Sequence, residues 1–376
     1  MSHLLRPIAG AALAVAAIAA PAVASPAHHS RNHTAAVFVQ TDNPAGNSIL
    51  AYSRARTGTL TYTATYATDG DGAVAVDAVA DPLASQGSLV TADGGRLLIA
   101  VNAGTDTVSV FQVDGTRLRL RQTVASDGAF PASVAVHRDL VYVLNAGGEG
   151  SVAGFRIRGG RLHPISDSLR TLALGNLTPP NFLASPGQVG FTPNGRQLVV
   201  TTKLSTGSLD VFGVGPRGRL STAPTVTTSA TPVPFAFVFG PGGKLVAAEA
   251  GASSISTYRL SASGAATVIG SLTDGQKALC WITAARGYYY VSNAGSNTIS
   301  AFTVNAAGAP VLVGVVGTAE GGPTDSASAA NGHFLYVENG GAGTVDEFAV
   351  GAGGTLTKLG VVTALPTAIE GIATVG

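Results

Sequence analysis

From Ala35 onward, apolar and polar positions recur in one phrase seven times over. Each copy is an apolar run, a small polar turn, a second apolar run ending in a glycine-containing turn, and a third run led by leucine. The copies open at Ala35, Arg96, Leu140, Gln197, Lys244, Tyr288 and Phe334, and a further short apolar run, such as 131–137 or 186–192, lies between them. Runs this short, bounded by turns and without helical periodicity, read as strands, so each unit holds four. A repeat of about 50 residues carrying only strands and turns predicts an all-β chain, a seven-bladed β-propeller. The first copy has no run before it, while 371–376 follows the last copy unused. Pairing that C-terminal strand with 37–41 completes blade one from both ends of the chain and leaves no open edge, so one closed ring is expected over 35–376.

Composition fits that architecture. The 49 glycines supply turns, and only 11% of residues are charged, as suits sheets covered on both faces by neighbouring blades. Lys plus Arg (22) nearly balance Asp plus Glu (21) at a net charge of +1, with no basic run. Phosphate-backbone binding and a polybasic membrane anchor both need clustered cations, so nucleic acid is not expected as a partner. Residues 1–27 read as a secretory signal peptide: Arg6, an apolar stretch over 8–20, and small residues at Ala22, Ala24 and Ala27, with cleavage after Ala24 or Ala27. A flexible N-terminus over 28–34 would follow, and the mature protein would be secreted to the extracellular, periplasmic or cell-wall space without a membrane span, as a monomer. Cys280 is the single cysteine, so no internal disulfide is available, and beside Trp281 it reads as a small buried apolar residue.

A propeller gathers its chemistry where loops surround the central channel. The turns after second strands offer Asp42, Asn43, Asn102, Asn145, Glu149 and Lys203, then Glu249, Asn293, Glu338 and Asn339. The starts of inner strands add Gln86, Gln188, Lys277, Trp281, Asp325 and Glu370. Such an Asn-rich rim suits a ligand, although an Asn also serves its own turn. The 166–185 insertion, at whose centre (LGNLTPPNF) Pro179 and Pro180 exclude regular strand and helix, is expected to fold over one face as a lid to the channel or to shield a blade edge. GVGPRG at 213–218 lies in a hairpin without the helix that phosphate capture needs, DGDG at 69–72 lacks calcium-loop spacing, and His28, His29 and His33 belong to the N-terminal tail. No metal or cofactor is expected.

The phrases GNSILAYSRARTGTLT, GAFPASVAV and SPGQVGFTPNGRQLVVTTKLSTGSLDVF resemble the seven-bladed lactonase family, which includes propeller-type 6-phosphogluconolactonases and carboxymuconate cyclases. The resemblance covers essentially the whole mature chain. It implies lactone ring opening or closing at the channel mouth, with an Arg-His pair stabilising a developing oxyanion or carboxylate and an Asn-Glu pair helping to move the proton. Here Gly187 and Gln188 stand where the family has Arg-His, and Thr202 and Lys203 where it has Asn-Glu. Ala103 follows Asn102 in blade two, and Pro323, Thr324 and Asp325 stand where the family has Pro-Arg-Asp, keeping only the acid. The charges that the mechanism needs are replaced. The chain therefore reads as a secreted, non-catalytic lactonase-like propeller that binds a small molecule, a saccharide or an extracellular protein through its loop face. The alternative is a divergent lactonase with acids relocated to Glu249, Glu338 or Asp325.

Overall fold

The computed structural model describes Met1, His3 and residues 35–376. The signal-peptide reading of 1–27, both cleavage positions and the tail over 28–34 lie outside the described residues, Met1 and His3 apart.

Seven antiparallel sheets follow one another along the chain. Blade one is assembled from both ends: Ile372–Val375 pairs with Ala36–Gln40, in register from Ala36 opposite Val375 to Val39 opposite Ile372, and Ser48–Arg54 and Leu60–Ala67 complete it. The remaining blades each run from inner to outer strand in chain order, as in Leu89–Ala92, Leu97–Asn102, Thr107–Asp114 and Arg117–Ala125 of blade two. Blade three departs from the pattern because residues 165–169 split its outer strand into Arg161–Pro164 and Arg170–Thr171.

Second strands are buried on both faces, which is why their sequences are continuously apolar. Outer strands return to mixed exposure, as in Leu60–Ala67. Clusters of apolar side chains sit between adjacent blades: Phe38, Leu98 and Phe111 join blades one and two, and Tyr142, Leu198 and Phe212 join blades three and four. Each such side chain contributes about 1.5–3 kcal/mol when fully buried. One α-helical turn among the described residues, Lys203–Thr206, replaces a tight turn in blade four and ends at Gly207 with φ 62°. Among the described residues no helix is long and apolar enough to cross a membrane.

Candidate functional site

The segment 68–88, between the outer strand of blade one and the inner strand of blade two, crosses the channel face. There it meets the long connection out of blade three. Val76 N–H donates to Pro180 O (2.9 Å), Phe182 N–H donates to Val76 O (2.9 Å), and the Asn181 side chain donates to Asp77 (2.7 Å). The blade-three segment is tied back to its own blade by Leu174 N–H to Glu149 O (2.9 Å) and Asn176 N–H to Gly148 O (2.7 Å). The proline-bearing insertion thus lies over the channel face, with 68–88 as its partner.

Beneath this lid the chain turns into the channel. Asp81 shapes the turn by accepting the N–H groups of Leu83, Ala84 and Ser85 at 2.9, 2.8 and 2.9 Å. Residues 85–87 then bond across the ring. Trp281 Nε1 donates to Ser85 O (2.8 Å), and the Gln86 side chain exchanges two bonds with the Ile282 backbone (3.1 and 2.9 Å). Gln86 N–H donates to Gly187 O (3.0 Å), Ser133 Oγ donates to Gln86 O (2.7 Å), and Gly87 N–H reaches Asp325 Oδ2 (3.3 Å). A buried backbone must find a partner for every polar group, and these groups find theirs in blades three, four, six and seven. Residues 85–87 form a plug.

Lys203 locks the plug to the lid. Its Nζ donates to Ala84 O (2.6 Å), Phe182 O (2.5 Å) and Ser185 Oγ (2.8 Å), and the rings of Phe182 and Phe235 lie 4.9 and 4.8 Å away. All three ammonium donors are engaged, so none faces a ligand. Burial lowers the Lys203 pKa to about 7, opposed by the nearby Asp81 carboxylate, and burial raises Asp81 to about 7. Lys203 also holds φ 47°, a left-handed conformation uncommon for a residue with a side chain.

Around the plug lies a sealed set of acids. Asp42 accepts the Glu370 N–H (2.9 Å) and the Gln40 amide (2.5 Å), Glu338 accepts the Gly371 N–H (3.0 Å), and Asp325 accepts the Ser326 N–H (2.7 Å). Glu338 Oε1, both Glu370 carboxyl oxygens and Gln40 Oε1 have no hydrogen-bond partner in the protein. Burial, reinforced by mutual repulsion, pushes Asp42, Glu338 and Glu370 well above the usual carboxylate range, and Asp325 to about 7. Among the described residues no group of three His, Cys, Asp or Glu is placed to hold a metal ion.

The other sequence candidates separate from this set. Asn102 and Asn293 end second strands and bond the hydroxyls of the third: Asn102 to Thr107 (3.0 Å) and Ser109 (2.9 Å), Asn293 to Thr298 (3.2 Å) and Ser300 (2.9 Å). Asn145 does the same to Ser151 (3.3 Å). Glu249 occupies the equivalent position in blade five. One of its oxygens accepts Thr231 N–H (3.0 Å), Thr231 Oγ1 (2.5 Å) and Ser256 Oγ (2.6 Å), and the other accepts the Tyr258 hydroxyl. Gln188 accepts Phe237 N–H (2.7 Å), tying blade four to blade five, and Lys277 lies exposed on the rim. Asp81, Phe182 and Ser185 were not singled out in sequence. Their roles arise from the crossing of two loops, which leaves no local motif.

Between the lid and blades six and seven is a cavity of about 700 Å³, lined by Val79, Phe182, Leu183, Cys280 and Trp281, with Asp77, Asp81 and Asn181 at its polar side. Val79, 90% exposed, and Leu183 form its outer apolar lining. Burial pushes the Cys280 thiol up to about 12, so it stays protonated and is no nucleophile at neutral pH. Apolar walls with few free polar groups suit binding of an apolar molecule. No lysine, arginine or histidine is among the residues that line it.

The family model described as Lactonase, 7-bladed beta-propeller matches residues 95–283. No curated protein sequence matches the chain. A candidate 6-phosphogluconolactonase of Bacteroides fragilis is similar at 19% identity and TM-score 0.74, over 92% of this chain and 99% of that one. The periplasmic gluconolactonase PpgL of Pseudomonas aeruginosa is similar at 17% identity and TM-score 0.72, over 91% and 99%. A virginiamycin B lyase of Staphylococcus aureus follows at 14% and 0.52, over 74% and 84%. At these identities the likeness is one of fold.

Proposed function

Because this chain belongs to the lactonase family of seven-bladed β-propellers, we propose that it is an exported, non-catalytic member that binds a small, largely apolar molecule in the cavity between the lid and blades six and seven. The observation that carries this reading is the plug. Residues 85–87 occupy the channel mouth with their polar groups paired, and the cation beside them, Lys203, has every donor engaged. Lactone opening needs a donor aimed at the developing oxyanion and a group that moves a proton. Glu338 and Asp325 are sealed below the plug, and Glu249 is held inside blade five by four hydrogen bonds. The apolar lining favours a small molecule over a saccharide, whose hydroxyls need convergent polar partners. The leader-like sequence of 1–27 supports export.

Trp281 is the only tryptophan, so its fluorescence reports the cavity directly. Titrating the mature protein with the apolar dye Nile red should change Trp281 emission saturably. Leu183→Glu, at the exposed outer lining, should weaken that response while leaving the fold intact. In parallel, gluconolactone, its 6-phosphate and a muconolactone should show no turnover above the spontaneous rate. Turnover that Glu338→Gln abolishes would replace this reading with a lactonase working from relocated acids.

A further inference from the structure

The opposite face of the ring carries a different chemistry. The hairpins joining third to outer strands there carry arginines in several blades, including Arg54 and Arg56 in blade one and Arg117 and Arg119 in blade two, and those of blades three and four face one another across a shared hollow. Arg156, Arg158 and His163 come from the first, and Arg217 and Arg219 from the second. With Ser166 they line a cleft of about 320 Å³ that contains no acidic side chain. The corresponding hairpins of blades six and seven, around 305–309 and 351–355, carry no charge at all. What distinguishes blades three and four is that five basic side chains line one shared hollow.

Two of the five are restrained. Arg156 pairs with Asp139 (2.5 Å), and Arg219 donates to Ser166 O (3.1 Å) and lies 3.9 Å from Asp167. Among the described residues Arg158 and Arg217 have no ion-pair partner. Arg217 is the sharper case. It sits at φ 60° in the turn 215–218, where the same turn of blade seven places Gly353 at φ 68°. An arginine in that conformation costs backbone energy that glycine avoids. The position keeps a side chain in a left-handed turn where blade seven uses glycine, and that side chain lines the cleft.

We propose that this cleft between blades three and four is a binding site for a small phosphate-bearing molecule. Planar guanidinium groups grip phosphate oxygens through paired N–H bonds, and several of them converging on one hollow favour a multiply charged anion over a single carboxylate. The site is remote from the lidded cavity and independent of the ligand proposed there.

Isothermal titration calorimetry of the full mature protein tests it, with inorganic phosphate and glucose 1-phosphate as probes. Saturable binding to either is expected, weakening as salt rises. Binding of both alike points to free phosphate as the ligand, and binding of the ester alone points to a phosphorylated organic molecule. Arg158→Gln should lower affinity by about tenfold. Arg217→Gly should lower it similarly while holding or raising the melting temperature, because the turn strain is relieved. A residue serving the turn alone would not give that opposite response. No heat with either probe, or binding unchanged in both variants, overturns the proposal.

Discussion

Blade five and the junction of blades seven and one both bury a glutamate completely, and treat it in opposite ways. Glu249 is surrounded by hydroxyl and N–H donors from Thr231, Ser256 and Tyr258. Glu338 has one donor for two oxygens, and Glu370 has none. Burial alone therefore says little about a carboxylate; the number of donors facing it decides whether it braces the fold or strains it. The difference begins in register. Glu249 stands where blades two, three, six and seven carry Asn, opposite the first residue of the third strand. Glu338 comes one residue before that place, and a single step along a strand turns a side chain to the other face.

The contrast is open to direct attack. Glu249→Leu would strand the Tyr258, Thr231 and Ser256 donors, and should destabilise the fold by about 4 kcal/mol in urea denaturation. An unchanged midpoint would mean that Glu249 is not a brace. Lys203→Met removes the ammonium between lid and plug, with an expected loss of about 3 kcal/mol and faster proteolytic cleavage within 172–187.

Protonation separates the two regions next. Asp325 binds its proton up to about pH 7 in the folded state against an ordinary 3.8, so between those values only the unfolded chain ionises and stability falls as pH rises. Lys203 is displaced the other way, from 10.5 to about 7, so over that interval the unfolded chain holds the extra proton and stability rises with pH. Stability should therefore fall from pH 4 towards neutrality, by on the order of 4 kcal/mol from Asp325 alone, read as a descending melting temperature, and Lys203 should oppose the decline above pH 7. A flat profile from pH 4 to 7 would show that the acids titrate normally. Smallest, Glu370→Gln should stabilise the protein by about 1 kcal/mol at pH 8, because an amide does not ionise in the chamber. Loss of stability would mean that the charge has a partner.

The ring was legible in the sequence because seven copies repeat one local pattern, and its closure because 371–376 had no other strand to meet. The insertion over the channel face was legible from Pro179, Pro180 and its length. The plug was not. Gln86 reads as the polar start of an inner strand, yet its partner Ile282 lies 196 residues away. Lys203 stands where blades two, three, five, six and seven have Ala or Gly, and nothing in its neighbours announces that two aromatic rings and two carbonyls enclose it. Local pattern specifies the blades, whereas contacts between distant loops specify what fills the space between them.

The shared construction of blade one bears on when the molecule takes shape. Ala36–Gln40 pairs with an inner neighbour, Ile372–Val375, that is synthesised more than three hundred residues later. Six blades are available to fold as they emerge from the ribosome, but the ring stays unlatched until translation has passed residue 375. Until those residues are made, Ala36–Gln40 has one side unpaired, so the strand 372–375 acts as a clasp whose arrival sets when the ring can close.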